Sequence, residues 1–288
     1  MIAGPAMVGS SLLMLVLFGW MARWEAPALL AWLAGSLVTM TRVGERIVFR
    51  VGFACRRPTD VQAVRLLPLW FRALRRCGID PRDVDLYVRH SGDSNGFAGG
   101  ARSVAVTTGL LAASRAGRLT DDQLVAVLVH ELGHLATLAN RYGLVTLWLT
   151  APWRLTTRVV VGIASVFARP QPSGALAVVI VAGIAVATEQ AVQAKHWSIA
   201  LVLIGVTLAG VLCPVADAAL SRRSELDADR YAAGAGVGPE LASALQILGS
   251  DHGPRLNAAT KLFTRHPTTL RRIAELPPRQ SDRRRAFQ

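Results

Sequence analysis

Three stretches of this chain carry no charged side chain at all: Met1 to Ala22, Pro170 to Thr188 and Trp197 to Ala216. A helix needs about 20 such residues to cross a bilayer, and this requirement restricts the fold more than any other feature. Ala26 to Thr41 is shorter but apolar, and it lies one tight turn after the first run. With 52% hydrophobic residues and a positive mean hydropathy, the chain is too apolar for an ordinary soluble enzyme. The pattern predicts four spans arranged as two hairpins. A cleaved signal peptide is the alternative for the first run, but no basic segment precedes it and a second apolar run follows almost at once.

The net charge of +13 is uneven. Arg42, Arg46, Arg50, Arg56 and Arg57 crowd in after the second apolar run, and Arg222, Arg223 and Arg230 follow the fourth. The only basic residues in the two intervening loops are Arg23, offset by Glu25, and Lys195. The positive-inside rule then places both polar segments and both termini in the cytoplasm of a multi-pass cell-membrane protein. Arginines beside membrane spans are explained by topology and anionic lipid, so no nucleic-acid partner is expected. Cys55, Cys77 and Cys213 are scattered with no paired spacing, which predicts free thiols.

Gly143 to Ala168 is harder to place, because Arg154 and Arg158 interrupt it on one helical face. If it crossed the bilayer, the two polar segments would lie on opposite sides. It reads as an interfacial or partly immersed amphipathic helix, with a re-entrant arrangement as the alternative.

In the first polar segment, Thr59 and Asp60 open a helix that Pro68 should kink. "DVDLYVRH" and "SVAVTTG" read as strands, joined through Gly-rich "SGDSNGFAGGAR" as a small antiparallel hairpin with a wide loop. "LTDDQLVAVLVHELGHLATLAN" follows, with Thr120 and Gln123 in capping-box spacing. His130 and His134 therefore lie inside a helix at i and i+4, where both can reach one metal ion. Glu131 stands about 100° round the same helix, placed to take a proton from water.

A catalytic zinc site needs three protein ligands and an open position. Glu225 and Asp229 in "SRRSELDADRYAAGAG" share one helical face. Glu225 can be the third ligand, and Asp229 can accept the hydrogen bond of a ligand histidine's other N–H. A solvated acidic face paired with Arg222, Arg223 and Arg230 is the alternative for these two acids.

HELGH followed, after an apolar hairpin, by "SELDADRYA" resembles the HtpX-type membrane zinc metallopeptidases, a group that includes the CAAX prenyl proteases. "SNGFAGG" with "VAVTTGLL" looks like that family's Asn-Ala-Phe-Ala loop and following strand, with Gly96 where alanine is usual. "TRHPTTLRRIAEL" looks like its closing His-Pro segment. The resemblance implies one zinc ion per chain on His130, His134 and Glu225, with Glu131 as general base and Asp229 orienting a ligand. It also implies that Asn95, Gly96, Phe97 and Ala98 border the substrate cleft as an edge strand, with His266 near the cleft as a candidate oxyanion stabiliser.

The expected fold is a mainly α integral membrane protein. Its helical zincin-like domain holds a small β-hairpin or sheet and is interrupted by a transmembrane hairpin. The expected segments are an N-terminal hairpin (1–41), the first half of the peptidase domain (42–141), the amphipathic segment (142–169), a second hairpin (170–217) and the second half with a basic tail (218–288). The expected function is endopeptidase action on membrane or membrane-associated polypeptides, in protein quality control. A regulatory peptidase cleaving a repressor, and a non-catalytic scaffold that keeps the fold, are the alternatives. Filled base and ligand positions argue against the scaffold, and four spans leave little room for a prenyl protease's enclosing chamber.

Overall fold

The computed structural model describes residues 25–136, 142–167, 174–249 and 269–276, with isolated positions before residue 15. The chain divides into two units, one of Ala34–Val145 with Ala218–Gln288, the other of Ile2–Leu33 with Thr146–Asp217.

The first unit is built round a four-stranded sheet of β1 (Cys55–Arg56), β2 (Asp85–Arg89), β3 (Gly96–Gly99) and β4 (Ser103–Thr107), in the order β1-β2-β4-β3. β2 and β4 run parallel, while β3 pairs antiparallel with β4. The expected antiparallel hairpin is thus corrected. The Gly-rich connection is not a loop, since it supplies β3 at the sheet edge, and the turn at Gly100 (φ 64°) returns the chain as β4 between its neighbours. Among the described residues, the outer side of β3 has no strand partner.

Helix α1 (Glu25–Val38) is followed by α2 (Arg42–Ile47), which runs into a π-helical turn, Val48–Gly52. Phe49 on that turn is fully buried and meets Tyr87 and Phe97 on one sheet face. Leu86 and Val88 point to the other face, as strand alternation requires. There they join a core shared with α3 (Asp60–Cys77), α4 (Thr108–Arg115), α5 (Asp121–Ala136) and α9 (Gly238–Gly249). α3 begins at Thr59, whose N–H donates to Gln62 Oε1 at 3.0 Å, continues through Pro68, and stops at left-handed Gly78. Cys55 and Cys77 are free thiols, as expected.

The second unit contains most of α6 (Gly143–Phe167), all of α7 (Gly174–Gln193) and the first part of α8 (Trp197–Gly234). Trp148 Nε1 donates to the Trp32 carbonyl at 2.9 Å, tying α6 to α1. α8 is one unbroken helix of 38 residues, carrying both the last apolar run and "SELDADRY". A short α10 (Thr269–Glu275) ends the described chain. Among the described residues, no single helix is long and apolar enough to cross a membrane. Ala26–Val38 and Arg42–Gly52 pass that test only together, across an 88° bend. The first predicted span lies almost wholly outside the described residues.

Candidate metal centre

α5 is buried on every side from Leu124 to Gly133, which is why its sequence reads apolar around three polar residues. A reciprocal capping box fixes its start. The Thr120 N–H donates to Gln123 Oε1 (2.8 Å), and the Gln123 N–H donates to Thr120 Oγ1 (3.2 Å). His130 and His134 then project from one face, with ring centroids 4.8 Å apart.

α8 brings Glu225 to that face. Its Oε2 lies 3.5 Å from His130 Nε2, and its Oε1 lies 3.6 Å from His134 Nε2. The three side chains offer ligand atoms all within 4.8 Å of one another, a group that can hold a metal ion. Nitrogen and oxygen ligands about 2.0–2.1 Å from a tetrahedral ion stand roughly 3.4 Å apart. Each Nε2 thus lies about as far from one Glu225 oxygen as two ligands of a small cation do.

The remaining ring nitrogens also have partners. His130 Nδ1 is 2.9 Å from Asp229 Oδ1, and His134 Nδ1 is 3.3 Å from Ser224 Oγ. Arg272 of α10 donates to both Asp229 oxygens, through Nε (2.8 Å) and Nη2 (2.7 Å). Its Nη1 is 3.2 Å from Glu225 Oε2, and its Nη2 lies 3.2 Å from His130 Nε2. Burial opposes a charge on both imidazoles, with opposite results. At His130 the bonds to Asp229 and Glu225, with the Glu131 charge, overcome it and push the pKa up to about 9. At His134 burial and the neighbouring His130 charge prevail and pull it down to about 4. Burial alone would raise Asp229, but the Arg272 and His130 hydrogen bonds hold it below the ordinary carboxylate range.

The profile of peptidase family M48 matches residues 71–280. The chain belongs to peptidase family M48. A crystal structure of S. mikatae Ste24p is similar to this M48 chain in fold, with a TM-score of 0.50 and 18% sequence identity. The match covers 94% of this chain and 63% of that one, so the M48 chain spans less than two thirds of that protein's length. No curated protein matches.

In this M48 chain the edge strand lies against Glu131. A Cβ built on Gly96 would meet Glu131 Cγ and Oε1 at 3.1 Å. Asn95 is exposed just before the strand, and its carbonyl accepts the Thr107 N–H at 3.0 Å. Ala98 packs on the core, whereas the Phe97 ring turns to Phe49 and Phe53 on the other face. His266 lies outside the described residues. Sequence reasoning missed Ser224 and Arg272. Ser224 directly precedes the third candidate ligand, and Arg272 comes shortly after His266 and Pro267, but only packing reveals what either touches.

The glycine of HELGH sets the distance between α5 and α8. A Cβ on Gly133 would sit 3.1 Å from Ala228 Cα, the Ala228 carbonyl oxygen and Tyr231 Cβ. Gly133→Ala gains up to about 1 kcal/mol in helix propensity, against about 1–3 kcal/mol for overpacking. The backbone atoms of Ala228 have little freedom to retreat, so a net loss of stability is expected, together with weaker binding of any metal ion between the two helices. Chemical unfolding and zinc titration of the detergent-solubilised variant test this, and wild-type values in both would refute it.

Proposed function

We propose that this M48 chain is a membrane-anchored zinc endopeptidase, acting at the cytoplasmic face on membrane or membrane-associated polypeptides in protein quality control. The observation that carries this reading is the convergence of His130, His134 and Glu225 on one small-cation position, with Glu131 buried alongside on the same helix. Asp229 and Ser224 meet the two imidazoles at their Nδ1 atoms, and both Nε2 atoms face Glu225, where they can serve as metal ligands. Zinc bound there supplies Lewis acidity toward a peptide carbonyl and makes water easier to deprotonate.

The chain's own residues do the rest. Glu131 takes a proton from the attacking water and passes it to the departing amine nitrogen as the C–N bond breaks. β3 offers main-chain N–H and C=O groups, to which an extended peptide can add as a further strand. Small Gly96 keeps that strand's backbone close to Glu131. The domain boundaries and the two membrane hairpins of the sequence reading are retained in this proposal. The uneven arginine distribution supports them and the cytoplasmic placement.

Purified protein should contain one zinc per chain and cleave casein, and a chelator should abolish cleavage until zinc is restored. Glu225→Ala should lose most of its zinc, and full retention would remove Glu225 from the ligand set. A reporter fused after Gln288 should score cytoplasmic, and a periplasmic result would overturn the sidedness.

A further inference from the structure

The helix after the 88° bend presents three faces. Glu45 and Phe49 are buried against the sheet, and Glu45 accepts the Ala101 and Arg102 N–H groups at 3.2 and 2.9 Å. On the opposite side, Val43, Ile47 and Val51 recur at i, i+4 and i+8 and point outward, 64%, 53% and 80% exposed. Arg42, Arg46 and Arg50 form a parallel stripe beside them. Arg42, Arg46 and Arg57 share the single carboxylate of Asp85 at 3.6, 3.1 and 4.0 Å. Arg50 and Arg56 are exposed, and Glu45 is committed to backbone N–H groups, so the surface keeps a surplus of positive charge.

An outward apolar stripe with guanidiniums along its flank is complementary to a bilayer interface, with side chains in the acyl boundary and cations among anionic headgroups. The bend supplies the orientation. Ala26–Val38, with Leu30, Leu33 and Leu37 exposed, meets Arg42–Gly52 at 88°, so a first helix along the bilayer normal lays the second in the membrane plane. We infer that Arg42–Gly52 is an interfacial helix that docks on an anionic lipid surface through Val43, Ile47 and Val51. This rests on the membrane-anchored reading of the chain. Through Glu45, the same helix grips the β3–β4 turn, and so holds the edge strand beside Glu131 at a fixed height over the lipid.

The test uses the full chain with Cys77 and Cys213 changed to alanine, carrying an environment-sensitive fluorophore at Ile47→Cys or, separately, at Val43→Cys. Cys55 stays unlabelled, because it is buried and its thiol is pushed up to about 11. Vesicles contain phosphatidylcholine with about 30% phosphatidylglycerol, so that anionic headgroups are present. Lipids bearing a nitroxide at shallow depth should quench both probes at least about twofold more than a probe at exposed Ala116→Cys. That quenching should weaken in phosphatidylcholine alone. Probes at 43 and 47 that are as accessible to a water-soluble quencher as the one at 116, in protein retained by the vesicles after alkaline carbonate washing, would overturn this inference alone. Probes shielded from water but insensitive to lipid nitroxide would also overturn it, since protein would then cover the stripe. Release of the protein by carbonate would overturn the anchored reading as well.

Discussion

Casein cleavage by a Glu131→Gln variant is expected to fall by about 10²–10⁴-fold, the span that a positioned general base contributes, with zinc content unchanged. The substitution keeps the size and hydrogen-bonding reach of the side chain but removes its ability to accept a proton. Glu131 is buried on α5 next to His130, so its carboxylate is the nearby group to receive a proton lost by water there. The separations that define the metal position run among His130, His134 and Glu225, so occupancy should survive. Cleavage rate and zinc per chain, measured on the same preparation, separate the two roles. Undiminished cleavage would remove the base assignment, and loss of zinc would make Glu131 a structural part of the metal position.

Arg272→Ala should lower the unfolding free energy by about 3–5 kcal/mol, the usual result of stripping one partner from a buried ion pair. The Arg272 side chain is 11% exposed, against 2% for Asp229 and 9% for Glu225, so water cannot readily replace it. A fork donating to both Asp229 oxygens is a geometry that lysine does not reproduce, and Arg272→Lys should recover only part of the loss. Combining Arg272→Ala with Asp229→Asn should cost less than the sum of the two, since the second change removes the charge that the first leaves unpaired. Thermal unfolding of the wild type, the three single variants and the double variant in detergent reads all of this. A wild-type midpoint for Arg272→Ala would show that the clamp contributes nothing to stability.

What could be read from the chain was what neighbours in sequence decide. The Thr120 and Gln123 cap, the common face of His130 and His134, and the helical placement of Glu225 and Asp229 all follow from local spacing. The parallel pairing of β2 with β4 did not, because "GFAG" is too short and too rich in glycine to show strand alternation. Arg272 was hidden for a different reason. It is one of two adjacent arginines on a short helix, and a guanidinium that reaches into a core looks the same in sequence as one in water. The unbroken course of α8 was also obscured, since its apolar and charged halves differ so sharply in composition that they read as separate elements.

The clamp has a consequence for charge. Glu131, Glu225 and Asp229 set three carboxylates in one buried cluster, and Arg272 is the guanidinium beside them. With both imidazoles neutral, as metal ligation demands, the cluster holds two negative charges in excess. A divalent cation cancels them, whereas a monovalent one leaves a surplus in a medium that penalises it. An ion held there would be a counterion as much as a reagent, and electroneutrality of the core would join metal occupancy to folding.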